Sequence, residues 1–350
     1  DIVLKFQPIY NYYFSDCILA EVIRHCVEIS EKSILVNFIL LYANREKIRF
    51  YERNGFLEFE EYMEKEDIRI TTVIVETENA ARKMGKPKGI YITLEASSMS
   101  QAEERGHRDV SAQLARVLRQ MLPHQEKELS VLIAGLGNRM VTPDALGPQT
   151  VDHLCITRHM LKEYGHYAYE DPDTPLISSI VPGVMGQTGM ETVEIIQGVV
   201  ENVHPDLLIV IDALAARSAR RLGRTIQITD TGINPGSGVG NHRNSITKES
   251  IGIPVIAIGI PTVVEAVTIV NDSMTGFLDA LEEMDSVQAL NRSWKALDEA
   301  EQRELIRELL SPQLNNMFMT PKDIDAAIAQ MSFTVAEGLN MAFLGEARLS

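Results

Sequence analysis

Four apolar runs in the middle of this chain break off abruptly into glycine or an acid, and that repeated pattern constrains the fold more than any other feature of the sequence. Residues 129–134 end in Gly135-Leu136-Gly137-Asn138, 179–181 in Pro182-Gly183, 207–211 in Asp212, and 255–258 in Gly259. The run at 207–211 is too uniformly apolar for a strand with one wet face, which predicts burial on both sides, as in a parallel sheet covered by helices. Helical spacing at 151–164 and a helix start near Thr192 supply the alternating elements. The predicted fold is therefore α/β, a three-layer sandwich around a mostly parallel sheet.

The flanking sequence is consistent with that core. Residues 68–76 and 90–95 alternate and are joined by turn residues at 83–89, predicting a hairpin or two neighbouring strands. Residues 110–121 place Val110, Leu114, Val117, Leu118 and Met121 on one helical face, 225–229 read as another strand, and 305–310 and 321–343 as closing helices. The acidic stretch 58–67 predicts a solvated boundary and divides the chain into units 1–66 and 67–350.

Composition narrows the function. With 350 residues, 45% of them hydrophobic and 23% charged, the chain reads as soluble and globular, with no apolar run near the length that spans a bilayer. The start, Asp1-Ile2-Val3-Leu4-Lys5, carries no signal pattern, and three cysteines (Cys17, Cys26 and Cys155) without Cys-x-x-Cys spacing predict a reducing compartment, so a cytoplasmic location is expected. A net charge of −16 argues against nucleic-acid binding and suits a basic partner or substrate.

Several chemistries fail on spacing. Met140 stands where a dinucleotide fingerprint needs its third glycine, no Gly-Lys-Ser/Thr follows the loop at 236–240, and neither Gly-x-Ser-x-Gly nor His-Glu-x-x-His occurs. His153 and His159 are six apart and fall on different helical faces, and Cys155 reads as a packing thiol inside the 151–164 helix. No cofactor or metal is expected. Two acids remain: Asp144, after the strand at 129–134, and Asp212, after the strand at 207–211, which would face one crevice at the same sheet edge. Asp206 lies at the far end of its strand, roughly 20 Å away. If Thr142 caps a helix with Pro143 in its first position, Asp144 is held in its carboxylate form, whereas Pro148 offers a later helix start. Burial of Asp212 predicts a raised pKa, and one ionised plus one protonated acid is what general acid-base hydrolysis uses. The same two residues would also serve as helix caps or loop-ordering aspartates, and spacing alone does not decide between the roles.

Longer motifs carry a resemblance. Ile90-Tyr91-Ile92-Thr93-Leu94-Glu95-Ala96, Gly135-Leu136-Gly137-Asn138, Val141-Thr142-Pro143-Asp144-Ala145-Leu146-Gly147-Pro148, Pro182-Gly183-Val184-Met185-Gly186, Ile211-Asp212-Ala213-Leu214-Ala215-Ala216-Arg217, Asp230-Thr231-Gly232 and Pro235-Gly236-Ser237-Gly238-Val239-Gly240-Asn241 resemble the spore germination proteases of Bacillus and Clostridium relatives, from about residue 68 to the end. The resemblance implies an endopeptidase acting on small, acid-soluble, DNA-protecting spore proteins in the forespore or spore core, made as a self-processed zymogen and assembled as a homotetramer. It implies an atypical aspartic peptidase whose acids match Asp144 and Asp212, with no metal requirement established. Backbone N–H groups of the turn holding Gly183, Gly186, Gly189 and Glu191, or of the loop holding Gly236, Gly238 and Gly240, are candidates for the oxyanion site. The family's Arg-Thr-Asp-Leu-Ala type motif is missing from residues 1–65, and the region after Val270 is short.

A weaker likeness, Gly-x-Gly-Asn followed by an acid, Gly-Met-Glu and an acid after an apolar strand, links the chain to hydrogenase maturation endopeptidases, a metal-dependent alternative with a phosphorylase/hydrolase-like fold. Residues 40–56, with Phe50-Tyr51-Glu52-Arg53-Asn54-Gly55-Phe56, resemble the closing strand-helix-strand of GNAT acetyltransferases, which nominates Tyr51 beside an acetyl-CoA sulfur. The pyrophosphate loop of that family is absent, so 1–66 is expected to be a C-terminal remnant or fused segment.

Overall fold

The computed structural model describes residues 56–63, 67–100, 104–123, 129–169, 173–237, 243–281 and 285–345. The segment resembling an acetyltransferase, with Tyr51, lies outside the described residues up to Phe56, as do Gly238 and Gly240.

Among the described residues nine strands form one sheet: β1 Phe56–Met63, β2 Ile68–Val75, β3 Gly89–Ala96, β4 Ser130–Gly135, β5 Leu176–Ile180, β6 Leu207–Ala216, β7 Thr225–Thr229, β8 Val255–Glu265 and β9 Phe318–Met319. Their order is β1-β2-β3-β7-β8-β6-β4-β5, with β9 beside β8. The half containing β8, β6, β4 and β5 is parallel, and the other half is joined by antiparallel pairs. Following those pairings, only β2 and β7 on the path oppose the common direction, so the sheet is mostly parallel.

Alternation within each apolar run explains the layers. Val131 and Ile133 of β4 and Leu207, Ile209 and Ile211 of β6 point to one face, where they pack with Leu114 and Leu118 of α2 (Glu104–Met121) and with Val335 and Leu339 of α9 (Ile324–Leu344). Leu132, Ala134, Leu208 and Val210 point to the other face and meet Val193, Ile196 and Val200 of α5 (Thr192–Val203). The remaining helices are α1 (Glu78–Met84), α3 (Leu146–Asp152), α4 (Arg158–Tyr164), α6 (Ala266–Ala280), α7 (Asp285–Ala296) and α8 (Glu299–Leu309), with one-turn pieces between them. The α2–α9 contact is close because Gly338 leaves room for Leu114, whose Cδ2 would lie 2.8 Å from a β-carbon there. Leu118 is fully buried in this layer. Leu118→Ala is expected to lower the unfolding free energy by about 2–5 kcal/mol, read from the urea midpoint.

Three local expectations change. The acidic stretch taken for a solvated boundary supplies β1, paired along its length with β2; Glu60 meets Arg69 at 3.1 Å and Glu61 meets Arg116 of α2 at 3.0 Å, so its charges are accommodated on a strand. The helix expected over 151–164 is two helices, α3 and α4, separated by a break at 153–157. There the Cys155 N–H donates to Asn340 Oδ1 at 2.9 Å, and the Asn340 amide donates to the His153 carbonyl at 3.0 Å. Cys155 is consequently exposed in that break rather than packed inside a helix. Among the described residues no helix is long and apolar enough to cross a membrane.

Candidate active site

β4 and β6 run side by side from Val131 opposite Leu207 to Gly135 opposite Ile211, and there β4 stops. β6 continues alongside β8, with Asp212 opposite Gly259. Asp212 is thus the first residue of β6 past the end of its neighbour, at the carboxyl edge where crevices open in such sheets. The strand does not terminate at Asp212, as the sequence suggested, but runs on to Ala216.

The chain leaving β4 folds back over this opening. The Leu136 N–H donates to the Ile211 carbonyl at 2.8 Å. Residues Thr142–Asp144 form a single 3-10 turn, and the regular helix α3 begins only at Leu146. The N-cap of the turn is Val141, without a side-chain cap bond, so Thr142 does not cap it. Three glycines make the fold-back possible. A β-carbon on Gly135 would lie 2.3 Å from the Gly147 carbonyl oxygen, one on Gly147 would lie 2.4 Å from the Leu136 oxygen, and one on Gly137 would lie 2.0 Å from the Asp144 oxygen. Gly137 also has φ +111°, a region side chains rarely adopt.

Asp144 accepts a hydrogen bond from the Asn138 N–H at 2.7 Å. Its pKa is nevertheless raised, because burial outweighs that donor. The sequence had suggested a carboxylate stabilised by free backbone N–H groups at a helix start; only the Asn138 donor is seen to act in that sense. Asp212 is 6% exposed, and its pKa is pushed up to about 7, first by burial and then by the charge of Asp144, with the Ala213 N–H at 3.0 Å opposing. The repulsion therefore falls on Asp212. Asp144 ionises first, and the deeper acid keeps its proton.

Other residues fix the surroundings. The Thr262 hydroxyl of β8 donates to the Pro143 carbonyl at 2.7 Å, tying the Asp144 turn to the sheet. β5 ends beside β4 and delivers Gly183, Gly186 and Gly189 to the same edge. The Gln187 amide in that turn donates to Asn138 Oδ1 at 3.0 Å, joining the two loops through a residue that spacing alone did not single out. Glu191 is the N-cap of α5 and its N–H donates to Glu194 at 2.9 Å, so it stands at a helix start. Gly236 follows β7, which runs opposite to β6, so its loop departs from the other end of the sheet. Asp206 also lies at that other end, accepting from the Ser130 N–H at 2.8 Å. Among the described residues no cluster of three or more His, Cys, Asp or Glu is arranged to hold a metal. Met140, 83% exposed, and Met185 and Met190 give the edge an apolar rim.

Fold and site together define an α/β protein with two coupled aspartates at the carboxyl edge of parallel strands. The family model described as germination protease matches residues 43–294 and 278–348. The chain belongs to the germination protease family, and is a protease. It is 46% identical over 281 residues to the germination protease of Caldanaerobacter subterraneus subsp. tengcongensis, covering 79% of this chain and 85% of that protein. It is 44% identical to that of Clostridium perfringens, covering 81% and 87%, and 40% identical to that of Bacillus subtilis, covering 86% and 89%. Among solved structures, a NiFe-hydrogenase maturation protease from Thermococcus kodakarensis aligns at 22% identity and a TM-score of 0.25, over 42% of this chain and 80% of that one.

Proposed function

We propose that this protease hydrolyses small, acid-soluble, DNA-protecting spore proteins by an aspartic mechanism in which Asp144 and Asp212 are the catalytic pair. The observation that carries this reading is the split between the two acids: burial and the Asp144 charge hold Asp212 protonated up to about pH 7, while Asp144 ionises first. Such a pair supplies a base and an acid at once. The Asp144 carboxylate takes a proton from water as the water oxygen bonds to the scissile carbonyl carbon. The Asp212 hydroxyl donates to the carbonyl oxygen, giving a neutral tetrahedral diol. On collapse the C–N bond breaks, the proton held by Asp144 passes to the leaving nitrogen, and a diol hydroxyl returns its proton to Asp212.

Backbone N–H groups of the turn holding Gly183, Gly186 and Gly189 supply the oxyanion contacts in this reading, and the exposed methionines of the rim suit an extended protein substrate. The reading also carries the family's arrangement: a zymogen that self-associates as a homotetramer in the forespore or spore core.

The kcat/KM profile for such a substrate should be bell-shaped. Its alkaline limb is expected near pH 7, where Asp212 loses its proton, and its acid limb above the ordinary carboxyl value of 3.8, where Asp144 gains one. The test is cleavage of a purified small acid-soluble spore protein, followed by mass spectrometry across pH and with a chelator present. An intact substrate, or activity that the chelator removes, would defeat the assignment.

A further inference from the structure

Asn138 closes the glycine motif at the end of β4, and three of its polar groups are engaged at once. Its carbonyl accepts from the Val141 N–H at 3.0 Å, closing a four-residue turn, and its Oδ1 accepts from the Met140 N–H at 3.0 Å inside that turn. With the turn fixed in this way, the Asn138 N–H is left to donate to Asp144 Oδ2, 2.7 Å away. Arg139, the next residue, does not supply a charge to Asp144 instead. Its guanidinium is drawn to α3, where it meets Asp152 at 2.9 Å and donates to the Pro148 carbonyl at 3.1 Å. Burial pushes the Asp144 carboxyl up, Asp212 on β6 is the charged group coupled to it, and the Asn138 N–H is the contact that favours the carboxylate.

A further contact on Asn138 comes from the neighbouring strand. Gln187 sits in the turn that follows β5, and its amide donates to the same Asn138 Oδ1 at 3.0 Å, bridging 49 residues of chain. That turn is closed on itself: the Gln187 and Thr188 N–H groups donate to the Val184 carbonyl at 2.8 and 3.1 Å, and the Gly189 N–H donates to the Met185 carbonyl at 2.8 Å. Gly183 and Gly189, at φ +74° and +73°, redirect the chain on either side of it. Gln187 is therefore presented from a closed frame, and its amide holds Asn138 from outside as the Met140 N–H holds it from inside. Because Oδ1 receives both donors, the Asn138 amide has one orientation, and only a donor at position 187 fits it.

We propose that Gln187 is a positioning residue for the hydrolysis, which locks Asn138 so that the Asn138 N–H stays on the Asp144 carboxylate. It rests on the catalytic reading above for the role of Asp144 as the base. Gln187 acts through Asn138, away from the reacting atoms, and it also keeps the turn with the candidate oxyanion donors in register with the base. The bond is exposed, so its loss falls on the acid and costs the fold little.

The test reads Asp144 directly, without turnover. Gln187→Met keeps the length of the side chain and removes its donor. Its thermal midpoint should stay within about 2 °C of wild type. The Asp144 carboxyl carbon, followed by NMR and identified by its absence from Asp144→Asn protein, should titrate at higher pH than in wild type, because the donor to the charged form is loosened. In the cleavage assay kcat/KM on the acid limb should fall roughly threefold to tenfold, the weight of one hydrogen bond, with the alkaline limb in place. Asn138→Ala keeps the backbone N–H but frees it, so it should move the same resonance in the same direction, and adding Gln187→Met should move it no further. An Asp144 titration unmoved by Gln187→Met, shifts that add in the double variant, or a midpoint lowered by several degrees with both limbs displaced together would each overturn the proposal. Cleavage by Asp144→Asn protein would sink the catalytic reading and the proposal with it, whereas an unmoved resonance sinks the proposal alone.

Discussion

Replacing Asp212 with asparagine is expected to abolish proteolysis and, at the same pH, to stabilise the fold. The loss of activity follows from removing the proton donor, and a factor of about 10² to 10⁴ in kcat/KM is the usual size for a positioned acid or base. The stability gain follows from linkage. The folded pKa of Asp212 is raised from 3.8 to about 7, so its contribution to stability is fully present below about pH 4 and is lost as pH rises through about 7. A shift of that size corresponds to on the order of 4 kcal/mol at most. Asparagine keeps an acceptor for the Ala213 N–H but has no charge to bury, so the variant should lose the part of the pH dependence that Asp212 contributes and exceed wild type at pH 8. Asp144→Asn should also remove activity, yet with a different signature: the repulsive charge is gone, and the pKa of Asp212, followed by carboxyl-carbon NMR, should fall. An active Asp212→Asn enzyme, or one less stable than wild type at pH 8, would show that Asp212 only orders the loop.

Gly137→Ala should do more damage than any other single methyl addition near the site. The added carbon would lie 2.0 Å from the Asp144 carbonyl oxygen, against backbone that cannot rotate away, and φ +111° is strained for any side chain. The turn from 135 to 147 must then open, taking Asp144 away from Asp212 and breaking the Leu136–Ile211 hydrogen bond. A stability loss above about 3 kcal/mol is expected, together with loss of cleavage. Gly186→Ala is the comparison, since its φ is not positive and a β-carbon there meets nothing within 4 Å. That change should move stability by less than about 0.5 kcal/mol. Thermal unfolding of the two variants side by side checks both, and similar midpoints would mean that the fold-back tolerates a side chain.

Much of the site-bearing half of the sheet was legible because burial on both faces leaves no freedom in composition. The run at 207–211 had to be apolar at every position, and that at 129–134 at every position but Ser130, once helices covered both sides, and β7 stands at 225–229, where a strand was expected. Both acids were visible as the first carboxylates after such runs, Asp212 directly and Asp144 ten residues on. The extensions of β6 and β8 past the acids were less visible, because strand pairing beyond the covered core imposes no uniform apolar pattern. The break between α3 and α4 was invisible, because Asn340, far away in sequence, bonds the His153 carbonyl and the Cys155 N–H.

By itself, then, the sequence determined the α/β layering and the two acids, since two-sided burial and abrupt termination of apolar runs are properties of local composition. The raised pKa of Asp212 was also expected from its place after a buried strand, and only the tertiary structure decided the electrostatics of Asp144. Asp144 was expected to ionise easily at a helix start, yet its carboxyl is raised by burial in a 3-10 turn clamped by Thr262, and Asp212 carries the repulsion of both charges. The desolvation of a turn residue such as Asp144 depends on which segments fold over it, and no pattern along the chain encodes that.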